Sequence, residues 1–187
     1  RISTLSKLNN LGVGELPLIV SSVAALCQGT LSKEILENST DIVSKGDKIS
    51  LSDLALQVSN KGYSIEPTTS TNGEASRRGG GIMDIFPTGS ESPFRIELWG
   101  DEVDNIRVFD PNTQRSKEEV PSIRIDPAIE TLPNMISKEK LDLSLSRIDL
   151  SNCSIEDSKT IRDELDSILK GLIFDDIGIY SGIINQG

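Results

Sequence analysis

Residues 77–109 read RRGGGIMDIFPTGSESPFRIELWGDEVDNIRVF, and this stretch has the densest pattern of β-favouring residues in the chain. Apolar and polar residues alternate in three short runs within it: 82–86, 94–99 and 103–109. Turn-forming residues separate the runs, among them Pro87, Gly89 and Gly100. Alternation with period two predicts half-buried strands, and the turn residues predict short connections between them. The stretch therefore predicts an antiparallel β-meander.

The hairpin between the second and third runs contains a glycine, so a loop of two or three residues could close it. A two-residue loop would leave Ile106 facing away from Ile96. A three-residue loop, residues 100–102, pairs these two isoleucines. It also pairs Phe94 with Val108 on the same face. We prefer the three-residue loop because it buries more apolar surface, and burial of one face specifies the register of a strand.

In that register the opposite face carries Arg95 across from Arg107, and Trp99 across from Val103. Like charges directly opposite on a ladder are destabilising, so sheet stability does not explain the two arginines. Arginine and tryptophan together are typical of protein-binding hot spots. One hypothesis is that the sheet turns guanidinium groups and one indole outward for a partner. The alternative is that a helix covers this face and Trp99 belongs to the core.

The composition excludes several classes of function. The chain has 187 residues with 19 basic and 29 acidic side chains, and its net charge of −10 makes it a poor non-specific binder of nucleic acid. It contains no histidine, which excludes Ser-His-Asp catalysis, Cys-His catalysis and histidine-containing metal sites. It also lacks the G-x-x-x-x-G-K-[ST] motif of phosphate-binding loops.

The cysteines and the hydropathy indicate a cellular setting. Cys27 and Cys153 form no C-x-x-C pair, and their apolar surroundings predict buried free thiols in a reducing cytosol. No apolar run approaches membrane-spanning length, and no signal peptide is recognisable, so we expect a cytoplasmic protein without a membrane partner. Because the chain starts with Arg1 and stops at Gly187 in mid-pattern, we expect it to be part of a longer protein.

One helix outside the meander is predicted with particular clarity. Ser50 is placed as its N-cap, Asp53 completes a partial capping box, and Gly62 is placed to end it. Its apolar stripe follows helical spacing: Leu51, Leu54, Ala55 and Val58. Shorter patterns predict a polar helix over 1–11, an amphipathic helix over 160–172, and strands at 16–20, 41–43, 63–66, 123–125 and 138–150.

Part of this sequence resembles a known family. Residues 73–87, GEASRRGGGIMDIFP, resemble the signature of the UvrB-homology module, and the resemblance continues through the two following runs. The next motif, DPNTQRS at 110–116, is more similar to the transcription-repair coupling factors (Mfd) than to UvrB itself. Residues 18–28, LIVSSVAALCQ, are similar to the segment that leads into the module in that family.

The resemblance implies an α+β fold with a twisted, mostly antiparallel sheet, like the second domain of UvrB, and one packed helix. Pieces of a helicase-like α/β domain that has lost its ATP site would flank this module. The implied division is residues 1–38 for the preceding piece, 39–128 for the module, and 129–187 for the start of the following piece.

The resemblance also implies a function. In the family the module docks on UvrA, the damage-recognition ATPase of bacterial nucleotide excision repair, at RNA polymerase stalled by a lesion. The family's docking residues fall on Arg78, Arg95 and Trp99 of this sequence, and the register argument adds Arg107. The module would be non-catalytic and need no cofactor. In the full-length protein, other domains would carry an ATP-dependent DNA translocase and contact RNA polymerase and DNA, and a C-terminal domain would mask the docking face.

Two other hypotheses stay open at this point. The chain could be a fragment of a UvrB-type excision-repair helicase subunit that contacts UvrA and damaged DNA. It could also be a purely structural domain, with its arginine and tryptophan face buried against neighbouring domains.

Overall fold

The computed structural model describes residues 1–12, 14, 16–27, 29–135 and 137–184. The chain divides into two compact units. One comprises Arg1–Pro17 and Leu36–Ile129, and the other comprises Leu18–Ile35 and the residues from Glu130 onward. The predicted assignment of the flanking residues to an α/β domain, with boundaries after residues 38 and 128, stays a prediction.

The elements follow one another along the chain as helices and strands of modest length. The α-helices are α1 (Ile2–Asn9), α2 (Val23–Cys27), α3 (Lys33–Asn38), α4 (Leu51–Asn60), α5 (Lys138–Leu145), α6 (Ile155–Leu169) and α7 (Ser181–Ile184). The strands are β1 (Asp41–Ser44), β2 (Ser64–Ile65), β3 (Glu74–Arg78), β4 (Ile82–Ile85), β5 (Phe94–Trp99), β6 (Glu102–Phe109), β7 (Ser116–Glu119) and β8 (Ser122–Ile125). Short 3-10 turns lie at Gly79–Gly81, Pro133–Met135 and Ile177–Tyr180.

The first unit is built on a six-stranded sheet with the order β2-β3-β4-β5-β6-β7. Neighbouring strands are antiparallel except for the short parallel pair of β2 and β3. Strands β1 and β8 form a separate antiparallel pair. The predicted α+β fold with a mostly antiparallel sheet is therefore confirmed, as is the meander that runs through β4, β5 and β6.

Helix α4 forms where the sequence predicts it and packs into the core of this unit. The Ser50 hydroxyl accepts a hydrogen bond from the Asp53 backbone N–H at 3.1 Å, and Gly62 has the positive φ of +83° that suits a residue beyond a helix end. The core combines the buried stripe of α4 with one face of the sheet: Leu54, Val58, Met83, Ile85, Ile96 and Ile106.

The hairpin of β5 and β6 combines the two registers that the sequence analysis treated as alternatives. Ile96 pairs with Ile106, as predicted, but the loop has only two residues, and Trp99 pairs with Glu102 instead of Val103. The pairing shifts by one residue after Glu97, which leaves Asp104 as the extra residue of a β-bulge. The predicted three-residue loop is wrong because the bulge turns Val103 and Ile106 to the core together, which strict alternation forbids.

Several predicted elements of the flanking segments are also wrong. Residues 16–20 form no strand, and Leu16 is 96 % exposed, because the described part of the chain offers them no neighbouring strand. Residues 138–150 contain helix α5 instead of a strand. Ser137 caps this helix, and Leu141 and Leu145, four positions apart, are its buried residues.

The two cysteines are free but exposed, so their predicted burial is wrong. Cys27 ends α2, which has no buried residue, and Cys153 lies in the turn before α6. Helix α6 confirms the predicted amphipathic helix, although it begins earlier, at the Ser154 cap. Strands β3 and β7 were not predicted, and β7 has no buried side chain that could produce an alternating pattern.

Gly81 is the residue of the β3–β4 turn whose position excludes a side chain. Its φ is +156°, and a Cβ there would lie 2.7 Å from the Leu98 carbonyl oxygen. We expect Gly81→Ala to lower the free energy of unfolding by about 1 to 3 kcal/mol, because the new methyl group strains two backbone segments. Urea denaturation followed by circular dichroism measures the loss. Gly79→Ala is the matched control because a Cβ at Gly79 meets open space, and equal losses in both variants would contradict the steric explanation.

Candidate functional site

One face of the six-stranded sheet carries a row of polar residues, each on a neighbouring strand. The row is Ser76, Asp84, Arg95, Arg107 and Glu119, on β3 to β7 in that order. Side chains two positions apart on a strand share a face, so Arg78 joins this row from β3, and Glu97 and Trp99 join it from β5. The four predicted docking residues, Arg78, Arg95, Trp99 and Arg107, therefore lie on the same face, opposite the core residues of the same strands.

Asp84 organises the centre of this face. Its side chain is completely buried and forms ion pairs with two arginines. Arg95 binds it as a fork, with Nε 2.7 Å from Oδ1 and Nη2 2.8 Å from Oδ2. Arg78 forms an ion pair with the same carboxylate, with its Nε 2.9 Å from Oδ2. One buried carboxylate thus orders two guanidinium groups, Arg95 through charge-assisted hydrogen bonds and Arg78 through an ion pair.

Arg95 is held more completely than the sequence analysis expected. Its side chain is only 13 % exposed, and its guanidinium carbon lies 4.9 Å from the centre of the Phe109 ring. The hydrogen bonds from Arg95 to Asp84 raise the pKa of the guanidinium group above its ordinary value. The expectation that the guanidinium groups of this face turn outward is therefore wrong for Arg95, because the buried carboxylate of Asp84 draws it inward.

Arg78 and Arg107 remain partly accessible, with side chains 33 % and 35 % exposed. Arg107 lies between two glutamates, with Nη1 3.5 Å from Glu97 Oε1 and Nη2 3.2 Å from Glu119 Oε1. Hydrogen bonds from Asn105, and next from Arg107, lower the pKa of Glu119. The like-charged pair of Arg95 and Arg107 is tolerated because each arginine has its own carboxylates.

Gln114 closes the arginine cluster from the loop that follows β6. Its Oε1 accepts a hydrogen bond from Arg78 Nη2. Its Nε2 donates to the carbonyl oxygens of Thr69 at 3.2 Å and Pro111 at 2.7 Å. Its own carbonyl oxygen accepts a 3.4 Å hydrogen bond from Arg95 Nη1. The side chain and the backbone carbonyl of Gln114 thus connect Arg78 and Arg95 with Thr69, in the loop before β3.

Asp110 shapes the loop that presents Gln114. Its Oδ1 accepts hydrogen bonds from the backbone N–H groups of Asn112 at 2.9 Å and Thr113 at 3.0 Å. Lys117 Nζ lies 3.3 Å from the other carboxylate oxygen. The hydrogen bond from Thr113, followed by those from Lys117 and Asn112, lowers the pKa of Asp110. The loop is therefore held by a charged carboxylate, and this contribution is lost only when the pH falls through the lowered pKa.

Trp99 differs from the arginines because the described residues leave its side chain largely uncovered. It ends β5 and is 84 % exposed. The alternative in which Trp99 belongs to the core is therefore wrong. A tryptophan left this exposed has a large apolar surface that a partner can remove from water.

Sequence reasoning missed Asp84 and Gln114, two residues of this site that contact both Arg78 and Arg95. The signal for Asp84 was present, because a charged residue stands between Met83 and Ile85 in a run that is otherwise apolar. Gln114 was noticed only as part of the DPNTQRS motif, since no periodicity connects it with the strands.

The described residues form neither a metal-binding cluster nor a membrane-spanning helix. Residues 1–12, 14, 16–27, 29–135 and 137–184 contain no group of His, Cys, Asp or Glu side chains placed to hold a metal ion. Within the same ranges, every helix is too short or too polar to cross a membrane.

Comparison with known proteins identifies the region that contains this site. The model of the UvrB interaction domain family matches residues 42–130. These residues belong to that family. The match covers the six-stranded sheet, α4, β8 and all of β1 except Asp41, so every residue of the arginine cluster lies within the UvrB interaction domain.

The relatives that match most of this chain are transcription-repair-coupling factors. The protein from Bacillus subtilis is 39 % identical over 150 residues, which are 78 % of this chain and 13 % of the relative. The protein from Escherichia coli K12 is 35 % identical over 130 residues, 70 % of this chain and 11 % of the relative. The protein from Myxococcus xanthus is 29 % identical over 185 residues, 98 % of this chain and 15 % of the relative. The predicted resemblance is confirmed, and the chain spans only a small part of these proteins.

Proposed function

We propose that the UvrB interaction domain of this chain is a non-catalytic docking module that recruits UvrA during transcription-coupled nucleotide excision repair. The family match and the names of the relatives support this proposal. The single observation that carries it is the pairing, on one sheet face, of an uncovered Trp99 with arginines that are already ordered by Asp84. Ordered arginines lose little entropy when a partner binds, and the indole supplies apolar area.

The contacts define the chemistry of the partner surface. Arg78 and Arg107 have partly accessible side chains and would pair with carboxylates of the partner. Arg95 is mostly covered, so it would contribute mainly by sharing the Asp84 carboxylate with Arg78 and so supporting it. Trp99 would enter an apolar pocket beside those carboxylates. The module would need no cofactor, because docking involves no covalent step.

The longer protein would supply the remaining activities of coupling. We propose that domains outside this chain carry an ATP-dependent DNA translocase and contact RNA polymerase and DNA in the cytoplasm. A C-terminal domain would mask the docking face until it is needed. The isolated chain should consequently bind UvrA more readily than the full-length protein does.

Calorimetric titration of the chain with UvrA tests the proposal. We expect binding by the wild-type chain and a roughly tenfold or greater loss of affinity in Arg78→Ala, because a partly desolvated guanidinium contact is removed. Arg78 is preferred to Arg95 for this test because its removal leaves the fork of Arg95 on Asp84 intact.

Arg77→Ala is the matched control for this titration. Arg77 is the exposed neighbour of Arg78, and it lies on the other face of β3, paired with Met83. Equal losses in both variants would indicate a general effect of charge, and absence of binding by the wild-type chain would reject the proposal. A parallel titration with duplex DNA separates the helicase-fragment alternative, which requires tight and salt-dependent binding.

A further inference from the structure

The DPNTQRS motif contributes Gln114 to the docking face. Gln114 lies in this motif with a φ of +60°, in the left-handed region that a residue with a side chain seldom adopts. Its backbone N–H donates to the Asp110 carbonyl oxygen at 2.7 Å, which helps to hold it in that conformation. A strained backbone is retained where the surroundings require it, and here it directs the Gln114 amide at Arg78.

The two arginines depend on Gln114 to different degrees. Arg95 has two short hydrogen bonds to Asp84 and stacks on Phe109, so its guanidinium is defined without the loop. Arg78 forms an ion pair with Asp84 through Nε, at 2.9 Å, and its Nη2 donates a hydrogen bond to the Gln114 amide oxygen. The orientation of the Nη2 end of the Arg78 guanidinium is therefore set by Gln114, in a side chain that is 33 % exposed.

We infer that Gln114 is a positioning residue that holds Arg78 in its docking orientation before the partner arrives. This inference rests on the proposed binding of UvrA. A glutamine fits the position because its oxygen accepts from Arg78 while its nitrogen donates to the Thr69 and Pro111 carbonyl oxygens. A glutamate would accept from Arg78 but could not donate to those two carbonyls.

Nuclear magnetic resonance of the arginine Nε–H groups in the free chain tests the positioning directly. In Gln114→Ala we expect the order parameter of the Arg78 Nε–H group to fall and that of Arg95 to stay unchanged. Gln114→Gly should give the same result if the side chain is responsible. Glycine adopts a φ of +60° without strain, so this variant removes the side chain while the loop keeps its backbone conformation. Order parameters of Arg78 that match the wild type in both variants would overturn the inference.

A double-mutant cycle with UvrA tests the consequence for binding. We expect Gln114→Ala to weaken binding about three- to tenfold, because the partner must then order Arg78 itself. The variant carrying both Arg78→Ala and Gln114→Ala should bind no more weakly than Arg78→Ala alone. Thr113→Ala is the control from the same loop, because the Thr113 side chain is exposed and only its backbone N–H holds Asp110.

The cycle distinguishes failure of this inference from failure of the proposed function. Wild-type affinity in Arg78→Ala would reject the docking role of Arg78 itself. A loss in Arg78→Ala with no loss in Gln114→Ala, or fully additive losses in the double variant, would reject the role of Gln114 while leaving the docking proposal in place.

Discussion

Replacement of Asp84 by asparagine is expected to lower the free energy of unfolding of the first unit by about 3 to 5 kcal/mol. Asp84 is completely buried and supplies the counter-charge for both Arg78 and Arg95. The asparagine keeps the size of the side chain but removes its charge, so Arg95 would stay largely desolvated without a carboxylate. Urea denaturation measures the loss, and hydrogen exchange of the β4 and β5 amides locates it.

Asp104→Asn is the control for the Asp84 variant. Asp104 is the exposed residue of the β-bulge, and its substitution changes the net charge by the same amount without touching the arginine cluster. We expect it to alter stability by less than about 0.5 kcal/mol. Similar unfolding midpoints for the two variants would show that the buried pairing contributes little.

Replacement of Trp99 by alanine is expected to weaken UvrA binding about 30-fold or more and to leave the stability of the chain nearly unchanged. The indole is 84 % exposed in the free chain, so its removal leaves no cavity. Its apolar surface would be buried only in the complex, so the effect should appear in affinity alone. Calorimetric titration with UvrA and thermal denaturation of the same variant separate the two quantities.

Two further variants make the Trp99 experiment specific. Trp99→Phe keeps an aromatic ring at the end of β5, so we expect it to retain most of the affinity. Leu56→Ala removes another exposed apolar side chain from α4, which packs on the opposite face of the sheet, and should have no effect on binding. Equal weakening by Leu56→Ala and Trp99→Ala would mean that the docking surface is misplaced.

The patterns that predicted the fold correctly were those that act over a few residues. The capped stripe of α4 and the alternation of β4, β5 and β6 depend on local propensity and on burial of one face, so they could be found in the sequence. Residues 138–150 were misassigned because Leu and Ser alternate there, although the buried leucines, Leu141 and Leu145, follow helical spacing. Two periodicities competed in a short segment, and only packing decided between them.

The candidate site, too, was predicted from the sequence only in part. Register reasoning placed Arg95, Arg107 and Trp99 on one face, and the resemblance added Arg78. Neither could find the Asp84 cluster, because it joins β3, β4, β5 and the loop after β6, and no spacing along the chain reports that these elements meet. The β-bulge at Asp104 was missed for a related reason, since its extra residue is stabilised by burial of Val103 and Ile106 across the hairpin.

The amino-acid sequence alone determined the class of the fold, the meander, helix α4 and the family to which residues 42–130 belong, because each depends on order along the chain. Tertiary structure alone decided which guanidinium turns inward, which keeps an accessible edge, and that the indole stays uncovered. Those outcomes depend on desolvation and on charge separations of about 3 Å between residues that are distant in sequence, and such distances exist only after the strands have paired.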